Sequence, residues 1–237
     1  MGEILPKLFL GCSPFVGAGQ FGAKAPLYYS KFYLQPRNMV KLFEASFKLG
    51  VTSIQLLSDR PAEALIEASK RLKVRPYVVY STDLKGEALR EALKKLNPLE
   101  LAFVAVHAEV SDRLNVNKIF ERKDVIDEFG CGLGVATHNP GATLPWIEES
   151  KVPARIILAP LNKLGYLMKP SFKEALNAIK RSSKSILAIK PLAAGRLKPQ
   201  EAFGFVYRYA KSAAVGVASE EEMKETFEAA AKALKRA

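Results

Sequence analysis

The residues most able to do chemistry are two histidines and one lysine, each at the end of an apolar run of sequence. His107 ends the run that begins at residue 101, His138 ends the run from residue 132, and Lys190 stands between Ile189 and Pro191. An imidazole in such a position can act as a general acid or donate a hydrogen bond to a carbonyl oxygen. A lysine there is partly desolvated, which favours its neutral form and suits imine formation or proton transfer. We therefore predict that His107 and Lys190 are catalytic.

Other roles for these side chains stay open at the level of the sequence. Lys190 could bind a phosphate or form an ion pair with Glu109 or Asp59, and both histidines could be structural. The same carboxylates with His107 and His138 could bind a metal ion. Inward-facing carboxylates of the kind that a metal site needs are scarce in this sequence, however, and we predict no metal.

Further polar side chains stand where apolar runs end or in the connections that follow them. Together they would form a polar cavity with a net positive charge, suited to a small molecule that is anionic or carries a carbonyl group. The residues that we predict to bind such a substrate are Gln55, Tyr28, Tyr29, His138, Asn139, Asn162 and Lys163.

The apolar runs that position these residues recur regularly along the chain. Strand-like segments begin near residues 7, 52, 75, 101, 132, 154, 185 and 212, and amphipathic helical segments lie between them. The strand-like segments are apolar on both faces, which is typical of buried parallel strands. Eight such units predict an α/β protein with a (β/α)8 TIM barrel fold, as one domain over residues 1–237. Barrel active sites lie at the carboxyl ends of the strands, where the polar residues above would meet.

One connection is much longer than the others, between the first strand and the first long helix, over residues 14–37. It contains Gly17, Gly19 and Gly22, which allow the backbone turns that a covering loop needs. We predict that this connection lies over the carboxyl ends of the strands and contributes Tyr28 or Tyr29 to the cavity.

Composition narrows the classes of partner. The net charge is +12, but the lysines are spread over the predicted outer helix faces, and no nucleic-acid recognition motif is present. No apolar run is long enough to span a membrane, and two cysteines are too few for a secreted disulfide framework. We expect a cytoplasmic protein that binds a small molecule and neither nucleic acid nor a membrane. The oligomeric state stays open.

Three segments in the second half resemble motifs of the aldo-keto reductases. They are GVATHN at residues 134–139, KPLAAGRL at 190–197 and VGVASEEE at 215–222. They are similar to the family's G-V-S-N, P-L-x-x-G-x-L and G-x-S-x-x-E segments. The resemblance implies the aldo-keto reductase barrel, with NADP phosphates bound at strands 7 and 8. The cofactor-binding residues that it implies are Gly195, Arg196, Gly216 and Ser219.

The chain departs from the family at its catalytic tetrad of Asp, Tyr, Lys and His. Gln55 stands at the position of the aspartate, no tyrosine follows it, and the lysine position falls on Tyr80 or Ser81. Only His107 matches. Three functions stay open: an NADP-linked oxidoreductase acting on a small carbonyl compound, a cofactor-independent lyase, aldolase or isomerase acting through Lys190 and His107, and a barrel that binds a ligand without catalysis.

Overall fold

A computed structural model describes residues 4–236, so residues 1–3 and 237 of the predicted domain lie outside the described part. Its centre is a closed barrel of eight parallel strands, in which each strand pairs with its neighbours in sequence and β1 also pairs with β8. Every predicted strand segment overlaps one of these strands, which confirms the predicted barrel. The strands are β1 Leu8–Gly11, β2 Ser53–Leu57, β3 Tyr77–Thr82, β4 Glu100–Val106, β5 Gly132–Ala136, β6 Ile156–Pro160, β7 Ser185–Ile189 and β8 Ser212–Val215.

A helix follows every strand and packs outside the barrel. Between β4 and β5 a short helix precedes the long one, and another short helix lies between β1 and the first long helix. The helices are α1 Ala25–Tyr28, α2 Pro36–Lys48, α3 Asp59–Leu72, α4 Gly86–Leu96, α5 Ala108–Ser111, α6 Val116–Glu128, α7 Pro140–Ser150, α8 Phe172–Arg181, α9 Pro199–Tyr209 and α10 Glu220–Leu234.

Strand alternation divides the core into two layers. In β3, Val79 points into the barrel and packs with Phe9 and Phe103, whereas Val78 and Tyr80 belong to the larger layer between the strands and the helices. Successive side chains of a strand point to opposite faces. The residue after Tyr80 therefore turns back to the barrel interior, and this alternation brings Ser81 to the barrel mouth.

Residues 14–37, which we call the cover segment, are wound into helical turns. They form 3-10 turns at Pro14–Val16 and Gly19–Lys24, then α1, then a π-helical turn at Tyr29–Tyr33. Gly17 has a φ of 59°, and a Cβ there would lie 2.7 Å from the Ala25 carbonyl oxygen, so this turn requires glycine. Phe15 and Phe32 anchor the segment in the core, with ring centroids 5.0 Å apart.

Three side-chain contacts fasten the cover segment to the rest of the barrel. The Tyr166 hydroxyl donates to the Gln20 carbonyl oxygen at 2.9 Å, and Lys31 Nζ donates to the Ala218 carbonyl oxygen at 2.6 Å. Arg60 donates to the Tyr33 carbonyl oxygen at 3.1 Å. These bonds join the segment to the connections after β6 and β8 and to α3.

Candidate active site

The barrel mouth holds a cavity of about 270 Å³ between the strand ends and the cover segment. Polar side chains from the strand ends border it, and five of them are Gln55 of β2, Ser81 of β3, and His107, His138 and Lys190, which follow β4, β5 and β7. The structure thus brings the two histidines and the lysine of the sequence prediction into one cavity. No carboxylate belongs to this set, which we call the polar floor.

The backbone at the end of β4 orients His107. The residue is the N-cap of α5, and its Nδ1 accepts a hydrogen bond from the Glu109 N–H at 3.4 Å. Because Nδ1 is the acceptor, the proton of the neutral imidazole resides on Nε2. His107 is therefore a hydrogen-bond donor through Nε2, a group able to polarise a carbonyl oxygen.

A hydrogen-bond network centred on Asp112 holds the backbone of His138 next to His107. The Asp112 carboxylate accepts hydrogen bonds from the His138 N–H at 2.9 Å and from the hydroxyls of Thr137 and Thr143 at 2.5 and 2.7 Å. The His138 and His107 rings lie edge to face, with centroids 5.8 Å apart. Although His138 keeps part of its surface exposed, desolvation by the surrounding protein, the Lys190 charge and the His107 ring lower its pKa to about 4. The ring is therefore neutral at pH 7.

Lys190 borders the cavity without a partner for its charge. The side chain makes no ion pair or hydrogen bond with any residue between 4 and 236, so the pairing with Glu109 or Asp59 that the sequence left open as an alternative does not occur. Because burial penalises the charged form, the pKa of Lys190 is lowered to about 8. Its backbone adopts a left-handed φ of 58°, a conformation that is unfavourable for a residue with a Cβ. A substantial fraction of the amine is neutral near physiological pH.

Two members of the polar floor have unsatisfied or weakly satisfied polar groups. Ser81 is 4% exposed, and its hydroxyl has no hydrogen-bond partner among the described residues. Gln55 is also buried, and its amide donates only a long bond of 3.4 Å to the Leu56 carbonyl oxygen. A buried polar group without a partner is unfavourable, and both side chains have hydrogen-bonding capacity that no residue between 4 and 236 fully uses. Strand alternation could have identified Ser81, rather than Tyr80, from the sequence.

The cover segment forms the roof of the cavity. Phe21, Lys24 and Tyr28 line it, whereas Tyr29 stacks on Tyr33 outside the cavity with ring centroids 4.7 Å apart. Burial and the nearby charge of Glu222 raise the pKa of Tyr28. Of the two predicted tyrosines, only Tyr28 therefore contacts the cavity.

Three further predicted substrate-binding residues lie outside the cavity, and local contacts engage two of them. Asn162 is fully buried, and its amide closes a turn by bonding the N–H and the carbonyl oxygen of Tyr166 at 2.9 and 3.0 Å. The Lys163 ammonium lies on the surface, 3.4 Å from Glu201. Asn139 stands at the N-cap position of α7 without a side-chain capping bond, its side-chain oxygen is buried with no partner among residues 4–236, and it does not border the cavity.

Of the four residues that the resemblance assigns to cofactor binding, two line the cavity and two do not. Gly195 and Gly216 line the cavity. The Arg196 guanidinium stacks on the Tyr166 ring at 4.0 Å instead. Ser219 caps α10 by accepting a hydrogen bond from the Glu222 N–H at 3.2 Å. Neither Arg196 nor Ser219 borders the cavity.

The far end of the cavity, beside α10, is acidic. Glu222 and Glu225 line it, and Glu222 accepts a hydrogen bond from the Ala218 N–H at 2.8 Å. The first turn of α10 carries Glu220 and Glu221 as well. A carboxylate thus already occupies the start of this helix. The carboxylates that line the cavity thus come from α10, and none comes from the polar floor.

Two kinds of feature are absent from the described part of the chain. Between residues 4 and 236, no group of three or more His, Cys, Asp or Glu side chains is arranged to hold a metal ion. Over the same range, every helix is too short or too polar to cross a membrane.

Comparison with known proteins shows similarity at the level of structure. No protein-family model and no curated protein sequence matches the chain. Among solved structures, a thermostable aldo-keto reductase, Tm1743, in complex with the inhibitor epalrestat is 16% identical, with a TM-score of 0.67 over 100% of this chain and 95% of that chain. An aldo-keto reductase from Brucella melitensis is 15% identical, with a TM-score of 0.63 over 95% of this chain and 89% of that chain. A variant of the protein Gox0644 in complex with NADPH is 11% identical, with a TM-score of 0.67 over 99% of this chain and 89% of that chain.

These similarities and the closed barrel define the class of fold. The chain has the (β/α)8 fold of the aldo-keto reductases, as its three motif-like segments implied. It is a divergent example of that fold. The polar floor holds Gln55 and Ser81 where the resemblance leads one to expect an aspartate and a lysine, and a lysine enters from β7 instead.

Proposed function

We propose that this protein is an oxidoreductase that interconverts a small carbonyl compound and its alcohol with a nicotinamide dinucleotide. One observation carries the proposal: a single cavity joins the polar floor to the ends of β7 and β8 and continues to α10. A reacting carbonyl and the nicotinamide end of a dinucleotide could therefore occupy adjacent parts of the same space. The similarity to a protein solved with NADPH supports this interpretation.

The polar floor supplies the groups that a carbonyl substrate requires. The Nε2–H of His107 would donate to the carbonyl oxygen, and the unpartnered hydroxyl of Ser81 would bind a neighbouring oxygen. Protonated Lys190, which has no carboxylate partner among residues 4–236, would balance the charge of an anionic substrate. The proposed substrate class is therefore a small carbonyl compound that carries a carboxylate or hydroxyl group.

A nicotinamide dinucleotide would supply a hydride at the substrate carbon. With the nicotinamide ring beside the polar floor, backbone at Gly195 and Gly216 would border the middle of the molecule. Glu222 and Glu225 would border its far end. Carboxylates suit the hydroxyls of a ribose and repel a phosphate on it. The one arginine in the motif-like segments, Arg196, is held against Tyr166. The charges thus favour NAD. The resemblance to the aldo-keto reductases, by contrast, implies NADP.

Titration with the two reduced nucleotides tests this proposal. We expect NADH to bind, measured by its fluorescence and by calorimetry, and NADPH to bind more weakly. Glu225→Gln should reduce the preference for NADH by removing one repulsive charge. Glu228→Gln is the matched control, because Glu228 lies on the same helix, is exposed and does not border the cavity. If neither nucleotide binds, the proposed function is wrong; if NADPH binds more tightly, only the charge argument is wrong.

A further inference from the structure

The position and surroundings of Lys190 are not explained by the proposed oxidoreductase activity alone. It borders the cavity from the end of β7, has no counter-ion among the described residues, and shares the cavity with His107 and His138. An ion pair or a hydrogen bond would explain a half-buried lysine structurally, and neither is present within residues 4–236. A counter-ion would also hold the amine in its charged, unreactive form. The surroundings of Lys190 instead favour a neutral amine in contact with the ligand space.

We propose that Lys190 forms an imine with small carbonyl compounds in this cavity, an activity that needs no nucleotide. The cavity of about 270 Å³ suits a short 2-keto acid or hydroxy ketone. The polar side chains of Gln55, Ser81 and His107 would bind the oxygens next to the reacting carbonyl. A pKa of about 8 for Lys190 supplies the neutral amine near physiological pH.

The reaction balances without any oxidant or reductant. The lone pair of Lys190 Nζ adds to the carbonyl carbon, the π electrons move to oxygen, and one nitrogen-bound proton is transferred to that oxygen. The resulting carbinolamine then loses its hydroxyl group with the second proton as water, and the carbon–nitrogen double bond forms. The neutral ring of His138 faces the same cavity and can carry protons from nitrogen to oxygen. The Nε2–H of His107 can polarise the oxygen.

Reductive trapping tests the proposal on the full chain with no nucleotide added. The protein is incubated with pyruvate or dihydroxyacetone, and sodium borohydride is added. Borohydride delivers a hydride to the imine carbon, and water supplies the proton to nitrogen, leaving a stable secondary amine. Mass spectrometry should show an increase equal to the mass of the probe (as pyruvic acid for pyruvate) less one oxygen atom. Peptide mapping should place that increase on Lys190.

Variants separate imine formation from simple charge. Lys190→Met and Lys190→Arg should both abolish the adduct, and the arginine variant keeps the positive charge. Lys198→Met is the matched control, because Lys198 is exposed, close in sequence and outside the cavity, and it should leave the adduct unchanged. Because the wild-type peptide map identifies the modified residue, the test holds even if a variant fails to fold.

The outcomes distinguish this proposal from the proposed oxidoreductase. Absence of the adduct, or an adduct spread evenly over exposed lysines, would overturn imine formation at Lys190 while leaving nucleotide binding unaffected. An adduct on Lys190 in a protein that binds neither NADH nor NADPH would support imine formation and refute the oxidoreductase.

Discussion

Gly216 allows a direct measurement of how the cover segment packs on the barrel. A Cβ at this position would lie 2.5 and 2.7 Å from the Cδ and Cγ of Pro14, distances that require one of the two segments to move. Forcing an extra methyl group into a packed contact costs about 1–3 kcal/mol. We therefore expect Gly216→Ala to lower the free energy of unfolding by that amount. For a chain of this length, the melting temperature should fall by roughly 2–4 °C per kcal/mol.

Urea and thermal unfolding would measure the effect in four variants: Gly216→Ala, Pro14→Ala, the double variant of the two, and Gly204→Ala. Gly204→Ala is the control, because a Cβ added to Gly204 in α9 would meet nothing within 4 Å, and this variant should gain about 1 kcal/mol from helix propensity. The double variant Gly216→Ala with Pro14→Ala should recover part of the loss relative to the sum of the single changes, since the proline ring is the obstacle. A neutral Gly216→Ala, or strictly additive effects of the two changes, would refute the packing explanation.

Three further predictions concern the site and its supports. Asp112→Asn should lower the free energy of unfolding by about 2–4 kcal/mol and shift the His138 ring signals in NMR spectra, because the carboxylate accepts three hydrogen bonds. A stable variant with unchanged signals would show that Asp112 does not hold His138 in place. The rate at which Lys190 reacts with an amine-acylating reagent should rise with a midpoint near pH 8, because its lowered pKa makes the amine neutral at a lower pH than the amines of exposed lysines. A midpoint above pH 10 in quantitative labelling would contradict this prediction. Tyr166→Phe should cost about 1 kcal/mol and speed proteolysis of the cover segment through loss of the bond to Gln20; unchanged cleavage would contradict it.

The sequence predicted the barrel because each strand is a short apolar run bounded by turn or helix signals. It also predicted that His107, His138 and Lys190 share one cavity, since all parallel strands present their carboxyl ends at the same mouth. These predictions depend only on periodicity and topology. Choosing Ser81 over Tyr80 needs no more than strand alternation.

Some residues were wrongly predicted to line the cavity because they make contacts elsewhere. Those contacts cannot be read from the residue type and its position in the sequence. Asn162 follows β6, but its amide is used within the turn to Tyr166, a local geometry that the sequence pattern leaves open. Arg196 turns away because the Tyr166 ring, from the preceding β/α unit, is available for stacking. Asp112 was missed for a similar reason, since its partners Thr137 and Thr143 lie in the next unit.

The motif-like segments have structural explanations that are independent of a nucleotide. Gly216 leaves space for Pro14, Ser219 caps α10, and Arg196 packs on Tyr166, the residue that fastens the cover segment. Contacts that the barrel itself needs would thus maintain the same residue types. Nucleotide binding must therefore be inferred from the cavity and its charges rather than from the motifs. Those charges place an unpaired amine at one end and Glu225 near the other, which is why NADH titration and reductive trapping are the informative experiments.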